Sequence, residues 1–263
     1  MSQAQPPAEA RPAATVLLLR DTPAFEVLMV KRHHQIDFAS GALVFPGGKS
    51  HPGDHDPRWA AHAAGWADLD ATQRGLRVAA VREAFEETGI LLADTADGRP
   101  FAEACDPQIR EAVDAGRLDF IDVAQDLGVR LRLDSLVVFA RWITPEPLPK
   151  RFDTWFYVVR APADQVAACD GREAVDAEWI TPGEALRLGA LGERTVIFPT
   201  RMNLRLLAEA TSAADAVARA AERPLVTVLP EIRRAGEGEI LVLPEGSAYG
   251  PVVEPLDPVM VRR

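Results

Sequence analysis

The stretch Ala79-Ala80-Val81-Arg82-Glu83-Ala84-Phe85-Glu86-Glu87-Thr88-Gly89-Ile90 constrains this chain more than any other segment. The turn Phe45-Pro46-Gly47-Gly48 precedes it. The stretch predicts a helix from roughly Ala71 to Thr88 that stops at Gly89, because glycine tolerates the left-handed conformation of a helix C-terminus. Val78, Val81 and Phe85 fall at i, i+3 and i+7 and should face a core. Glu83, Glu86 and Glu87 fall at i, i+3 and i+4 and should cluster on another face. Like charges at that spacing weaken a helix by about 0.2–0.5 kcal/mol per pair. A Glu-x-x-Glu-Glu run is usually only a solvated face, although such a cluster becomes favourable when it grips a hard cation through carboxylate oxygens.

Arg82-Glu83, Glu86-Glu87 and Gly89-Ile90 behind a Gly-Gly turn resemble the Nudix box of the Nudix hydrolase family. That box runs Gly, five residues, Glu, seven residues, then Arg-Glu-(apolar)-x-Glu-Glu-x-Gly-(apolar), with Ala84 here at the apolar position. Two departures stand out. An insertion of about 49–72 separates the turn from Arg82, and where the box's first Glu would lie stands Asp54 when counted from Gly48, or Arg74 when counted back from Arg82. The carboxylate partner of Arg82 is therefore Asp54 or Asp70. The resemblance implies an α/β fold, an α/β/α sandwich with a mixed sheet. The insertion interrupts the box, and a C-terminal extension follows. It also implies Mg²⁺ or Mn²⁺ held by Glu83, Glu86, Glu87 and the carbonyl of Gly47, with Arg82 completing the catalytic set. A Glu from a later loop often joins such a set; Glu173 is favoured over Glu178, which adjoins Trp179 on an expected strand.

A second segment narrows the substrate. Leu28, Met29, Arg32, Gly41 and Phe45 to Gly48 match the extra signature of Nudix enzymes that cleave coenzyme A, whereas Val30, His33 and Asp37 depart from it. Asp37 stands where that signature has a second Arg. Arg151-Phe152-Asp153-Thr154 resembles the same subgroup. Arg32, Gly48 and Arg151 are the candidate substrate-binding residues. The implied reaction splits coenzyme A or acyl-coenzyme A into 3′,5′-ADP and 4′-phosphopantetheine. ADP-ribose, NADH or dinucleoside polyphosphates are alternative substrates, and a noncatalytic ligand-binding regulator is the alternative class. Complete Glu83, Glu86 and Glu87 favour the enzyme, since a binder need not retain that charge cost.

Composition bounds the rest. The chain has 263 residues, 48% apolar and 26% charged, enough for one large domain. A net charge of −10 argues against nonspecific nucleic-acid or membrane binding and means that a phosphate-bearing substrate needs local cations. Positive charge is almost all Arg; the lysines are Lys31, Lys49 and Lys150. Two unpatterned cysteines, the lack of a long apolar run and the lack of a secretory leader make a cytoplasmic location the expectation. Residues 1–12 are Ala/Pro/Gln-rich and expected to be disordered, 13–222 form the main domain, and 223–263 form an extension. Within that extension Leu225–Leu229 and Glu239–Leu243 read as a hairpin, serving as a sheet edge or as an arm for a homodimer. Pro199 to Arg219 reads as one long helical stretch, and Pro57 to Ala64 as a short one.

Overall fold

Strand patterning explains the centre of the molecule. In the computed structural model, which describes residues 8–32, 41–169, 174–236 and 238–256, Ala14, Val16 and Leu18 point to one side of a sheet and Leu17 and Leu19 to the other. Side chains alternate along a strand, so a continuous apolar run must be covered on both faces. The next strand in the sheet does the same, with Tyr157 and Val159 on the first side and Phe156 and Val158 on the second.

The elements follow in order. They are β1 (Arg11–Arg20), β2 (Glu26–Arg32), β3 (Leu43–Val44), β4 (Gly47–Lys49), α1 (Trp59–His62), β5 (Ala63–Ala64), α2 (Ala71–Thr88), β6 (Ala93–Thr95), α3 (Pro107–Asp114), α4 (Phe120–Asp126) and β7 (Val129–Arg132). Then come β8 (Val137–Ile143), β9 (Phe152–Arg160), β10 (Ala174–Ile180), α5 (Pro182–Ala190), α6 (Phe198–Leu207), α7 (Ala213–Glu222), β11 (Thr227–Val228), β12 (Glu231–Ala235), β13 (Gly238–Val242) and β14 (Val253–Pro255). The main sheet runs β10-β2-β1-β9-β8-β11, with β3 against β2 and β4 against β1. It is mixed: β1 and β9 are parallel over nine register pairs, while β8 and β9 are antiparallel. The α2 side of the sheet carries a core with α1, α3 and α4, and the other side packs α6 and α7. This is the expected α/β/α sandwich.

The box helix α2 ends where expected, with Gly89 at φ 74° and its N–H donated to the Phe85 carbonyl. Asp70 caps its start, accepting the Gln73 N–H at 2.8 Å. The expected two-faced character is only half right. Val78, Val81 and Phe85 enter the core, but Arg82, Glu83, Glu86 and Glu87 are also buried. A 3-10 turn at Pro52–His55 lies over that face, so the carboxylates are enclosed by tertiary contacts that helical spacing alone does not reveal.

Several expectations are corrected. The stretch Pro199 to Arg219 is two helices, α6 and α7, because Ser212 turns its hydroxyl to the Asp215 N–H and starts a new helix. The helix expected over Pro57 to Ala64 shrinks to Trp59–His62, and the next two residues pair with β7. The tail hairpin has different partners: Glu239–Leu243 overlaps β13, which pairs with β12, whereas Thr227–Val228 joins the edge of the main sheet beside β8. Strand β1 begins at Arg11, since its first residues pair with Phe152 and Asp153 of β9. No described helix is long and apolar enough to cross a membrane.

Candidate active site

The site is assembled from α2, the turn before it and the 3-10 segment of the insertion. Arg82 lies at its centre. Its Nε and Nη2 donate to the two carboxylate oxygens of Asp54, at 2.9 and 3.1 Å. Of the two expected partners Asp54 is therefore the one used, and Asp70 serves instead as the helix cap. Asp54 keeps the box's spacing from Gly48, so the extra residues fall after it and loop out before α2 returns. Arg82 Nη1 reaches Glu83 Oε1 at 2.9 Å and Glu86 Oε2 at 2.8 Å, and Nη2 also donates to the Lys49 carbonyl at 2.8 Å. One guanidinium thus ties Asp54, Glu83, Glu86 and strand β4 together. With Asp54 at 1% exposure and Arg82 at 4%, this is a buried ion network, in which losing one partner strands a charge in a dry site. Burial alone would lower the Arg82 proton affinity, but Glu83, Asp54 and Glu86 outweigh it and keep the guanidinium charged.

The two glycines of the turn have distinct reasons to be there. A Cβ on Gly48 would lie 2.5 Å from Glu83 Oε1, so any larger residue there would push that carboxylate away from the turn. A Cβ on Gly47 would meet the Ala14 carbonyl and Thr15 Oγ1, each at 2.6 Å. The Gly47 N–H donates to Glu87 Oε2 at 3.0 Å. Burial pushes the Glu86 carboxyl up to about 8, with Arg82 opposing and Glu83 and Asp114 reinforcing the rise.

This donor set suits a hard divalent cation: it is all oxygen, all carboxylate and largely buried. Among the described residues no three acidic, His or Cys side chains close around one point. Oxygens of Glu83 and Glu86 converge on Arg82 Nη1, and one of Glu87 on the Gly47 amide. The donors are gathered but turned toward protein partners, so holding an ion requires rotamer changes at the glutamates.

Glu83 and Glu86 open into a cleft of about 1010 Å³ that Gly47, Gly48, Lys49, Arg32 and Arg151 also line. Its far wall is apolar, with Trp142, Phe156, Ile197 and Phe198. Arg32 Nε is buried without a hydrogen-bond partner among the described residues. Arg151 has two of its nitrogens committed to the backbone, Nε to the Thr144 carbonyl at 3.0 Å and Nη1 to the Ala8 carbonyl at 2.6 Å. Glu178 lies 3.6 Å from Arg194 and is absent from the cleft lining. Glu173, His33 and Asp37 fall outside the described residues.

Motif spacing gave no sign of two further residues. Arg110 of α3 is buried, and its Nε donates at 2.7 Å to the Glu86 carbonyl near the end of α2. Asp114, one turn later on α3, lines the cleft. Both look in sequence like ordinary members of a short amphipathic helix.

Comparison with known proteins agrees with this geometry. The NUDT19 Nudix domain matches residues 70–202. Acyl-coenzyme A diphosphatase NUDT19 of Xenopus laevis is 26% identical over an alignment covering 63% of this chain and 55% of that protein. Putative nudix hydrolase 7 of Caenorhabditis elegans is 29% identical over 67% of this chain and 53% of its own length. This chain thus spans about half the length of these two curated relatives. The diphosphatase NUDT19 of Gallus gallus is 27% identical over 91% of this chain and 79% of that protein. A crystal structure of a NUDIX hydrolase from Alicyclobacillus acidocaldarius superposes with a TM-score of 0.73 at 26% identity, covering 82% of this chain and 99% of that one. With the domain match spanning half of the sequence and the box helix folded around its buried Arg82, this chain belongs to the Nudix hydrolase family, in its NUDT19-like branch.

Proposed function

We propose that the chain is a Mg²⁺- or Mn²⁺-dependent diphosphatase that hydrolyses coenzyme A or acyl-coenzyme A to 3′,5′-ADP and 4′-phosphopantetheine products. The observation that carries this reading is the carboxylate cluster around Arg82 opening into a cleft much larger than a diphosphate needs, with an apolar far wall suited to the rest of such a substrate. The names of the NUDT19 relatives support the same class. Glu83, Glu86 and Glu87, with the Gly47 carbonyl and Glu173, are the residues assigned to the cation. A divalent cation bound there supplies charge stabilisation to the diphosphate as water attacks phosphorus. Arg82 keeps Glu83 and Glu86 together on one side of the cleft and, through Asp54, keeps itself oriented. Gly48 lets the turn approach Glu83, and Arg32 provides a cation for the substrate's phosphates.

The test is turnover of a nucleotide panel with Mg²⁺, with products identified by mass. Coenzyme A or a short acyl derivative should give 3′,5′-ADP. Cleavage of ADP-ribose or NADH at least about tenfold more efficiently than coenzyme A would overturn the substrate assignment, a difference of about 1.4 kcal/mol in transition-state binding.

A further inference from the structure

Sheet register places two cations side by side in the cleft, and neither side chain is used by the machinery described above. On β1, Arg11, Ala13 and Thr15 alternate onto one face, and all three line the cleft. Strand β4 pairs antiparallel with β1, Lys49 directly opposite Ala13 and Gly47 opposite Thr15, so Lys49 stands on that same face. Arg11 is then the diagonal neighbour of Lys49, a separation of about 7–8 Å between Cα atoms, well within what two long side chains can close. Ala13, the small residue between them, is itself buried and lines the cleft. Arg11 and Lys49 are both exposed, and among the described residues neither has a hydrogen-bonded or ion-paired side-chain partner. The position is fixed from behind: the Lys49 carbonyl accepts from Arg82 Nη2, and the Arg11 N–H donates to the Arg151 carbonyl.

We infer that Arg11 and Lys49 form a clamp for a second phosphate of the substrate, a phosphomonoester carried on the same nucleotide as the scissile diphosphate. This deepens the proposed coenzyme A reading and rests on it. Three observations lead to it. The chain carries a net charge of −10, yet two of its three lysines, Lys49 and Lys150, line this one cleft. Arg11 and Lys49, without carboxylate partners among the described residues, are suited to a ligand's anion, since a carboxylate partner would otherwise quench them. Lys49 lines the same cleft as Glu83 and Glu86, so an anion held by Lys49 shares that cleft with the proposed diphosphate site rather than occupying a remote one. A ribose 3′-phosphate meets that requirement, because one sugar separates it from the 5′-phosphorus. The guanidinium offers a planar, paired contact and the ammonium a point charge, a combination that holds a dianionic phosphate better than a monoanionic diester.

The test compares coenzyme A with dephospho-coenzyme A, which lacks only this phosphate. The ratio of their kcat/KM values should exceed about ten for the parent at low salt and fall at least about tenfold in the Lys49→Gln, Arg11→Gln double variant, the loss expected of charge-assisted contacts. A parent ratio near one, or a variant ratio equal to the parent's, overturns the clamp while leaving the diphosphatase reading intact if coenzyme A is still cleaved. Should neither substrate be cleaved, the substrate reading fails by itself. Calorimetry on the full chain with 3′,5′-ADP against 5′-AMP then decides the clamp. Tighter binding of 3′,5′-ADP that disappears in the double variant supports it, and equal binding of the two nucleotides by the parent overturns it.

Discussion

Arg82 shows how one side chain can organise a site through its hydrogen bonds. Its guanidinium donates to Asp54, Glu83, Glu86 and the Lys49 carbonyl. Arg82→Ala should remove about 3–5 kcal/mol of stability, because Asp54 at 1% exposure would be left charged and unpaired; urea unfolding measures this. A variant with the parent's midpoint would mean that Asp54 finds water or another cation. Glu87 makes the opposite case. Its carboxylate accepts the Gly47 N–H, an interaction that a glutamine amide oxygen can keep. Glu87→Gln should therefore leave the melting temperature equal or slightly higher, as like-charge repulsion with Glu83 is relieved by a few tenths of a kcal/mol. Turnover with saturating Mg²⁺ should still drop by roughly two orders of magnitude or more, the scale on which a cation stabilises phosphoryl transfer. Near-normal turnover in Glu87→Gln would remove Glu87 from the cation set.

At the level of elements, helix α2 works because its C-terminus can be approached closely. Gly89 has φ 74°, and the Arg110 guanidinium of α3 comes so near that a Cβ there would sit 3.1 Å from its Nη1. The same Arg110 donates to the Glu86 carbonyl, so α3 is fastened to the end of the helix that carries the carboxylates. Gly89→Ala would impose both a left-handed strain and a crowded contact, at a cost of about 1–3 kcal/mol. Thermal unfolding with and without Mg²⁺ tests the consequence: the midpoint should fall in both conditions. An unchanged midpoint would show that α3 shifts without penalty.

The whole molecule uses its C-terminal extension as part of the second core. Leu241 and Leu243 are buried with Trp142, Phe198 and Met202, and the extension's own three strands run in the order β12-β13-β14. Tyr249 links the layers: its hydroxyl accepts the Trp142 Nε1–H at 3.0 Å and donates to Asn203 Oδ1 at 2.6 Å. Asn203 is fully buried and Trp142 forms part of the cleft wall, so the tail supports the cleft from a position far along the sequence. Tyr249→Phe keeps the ring but leaves a buried donor and a buried acceptor without their partner. It should cost about 1–3 kcal/mol by urea unfolding, and a loss under 0.5 kcal/mol would mean that water replaces the hydroxyl.

Local chemistry written into the sequence determined the box helix, its stop at Gly89, the Gly47-Gly48 turn, the long strands β1, β2, β8 and β9 of the main sheet and hence the family. Each depends on short-range periodicity or on a glycine that a backbone angle or close approach demands. The sequence also narrowed the Arg82 partner to two carboxylates, but both lie at plausible spacing, and only the folded insertion decides that Asp54 reaches the guanidinium while Asp70 caps the helix. The burial of the glutamate face, the fastening of α2 by Arg110, the reassignment of the tail strands and the adjacency of Arg11 to Lys49 were decided by tertiary structure alone. The physical reason is common to all four. Each joins segments far apart in the chain through sheet register or packing, and register across strands is a property of the assembled sheet, set by which apolar faces must be buried together.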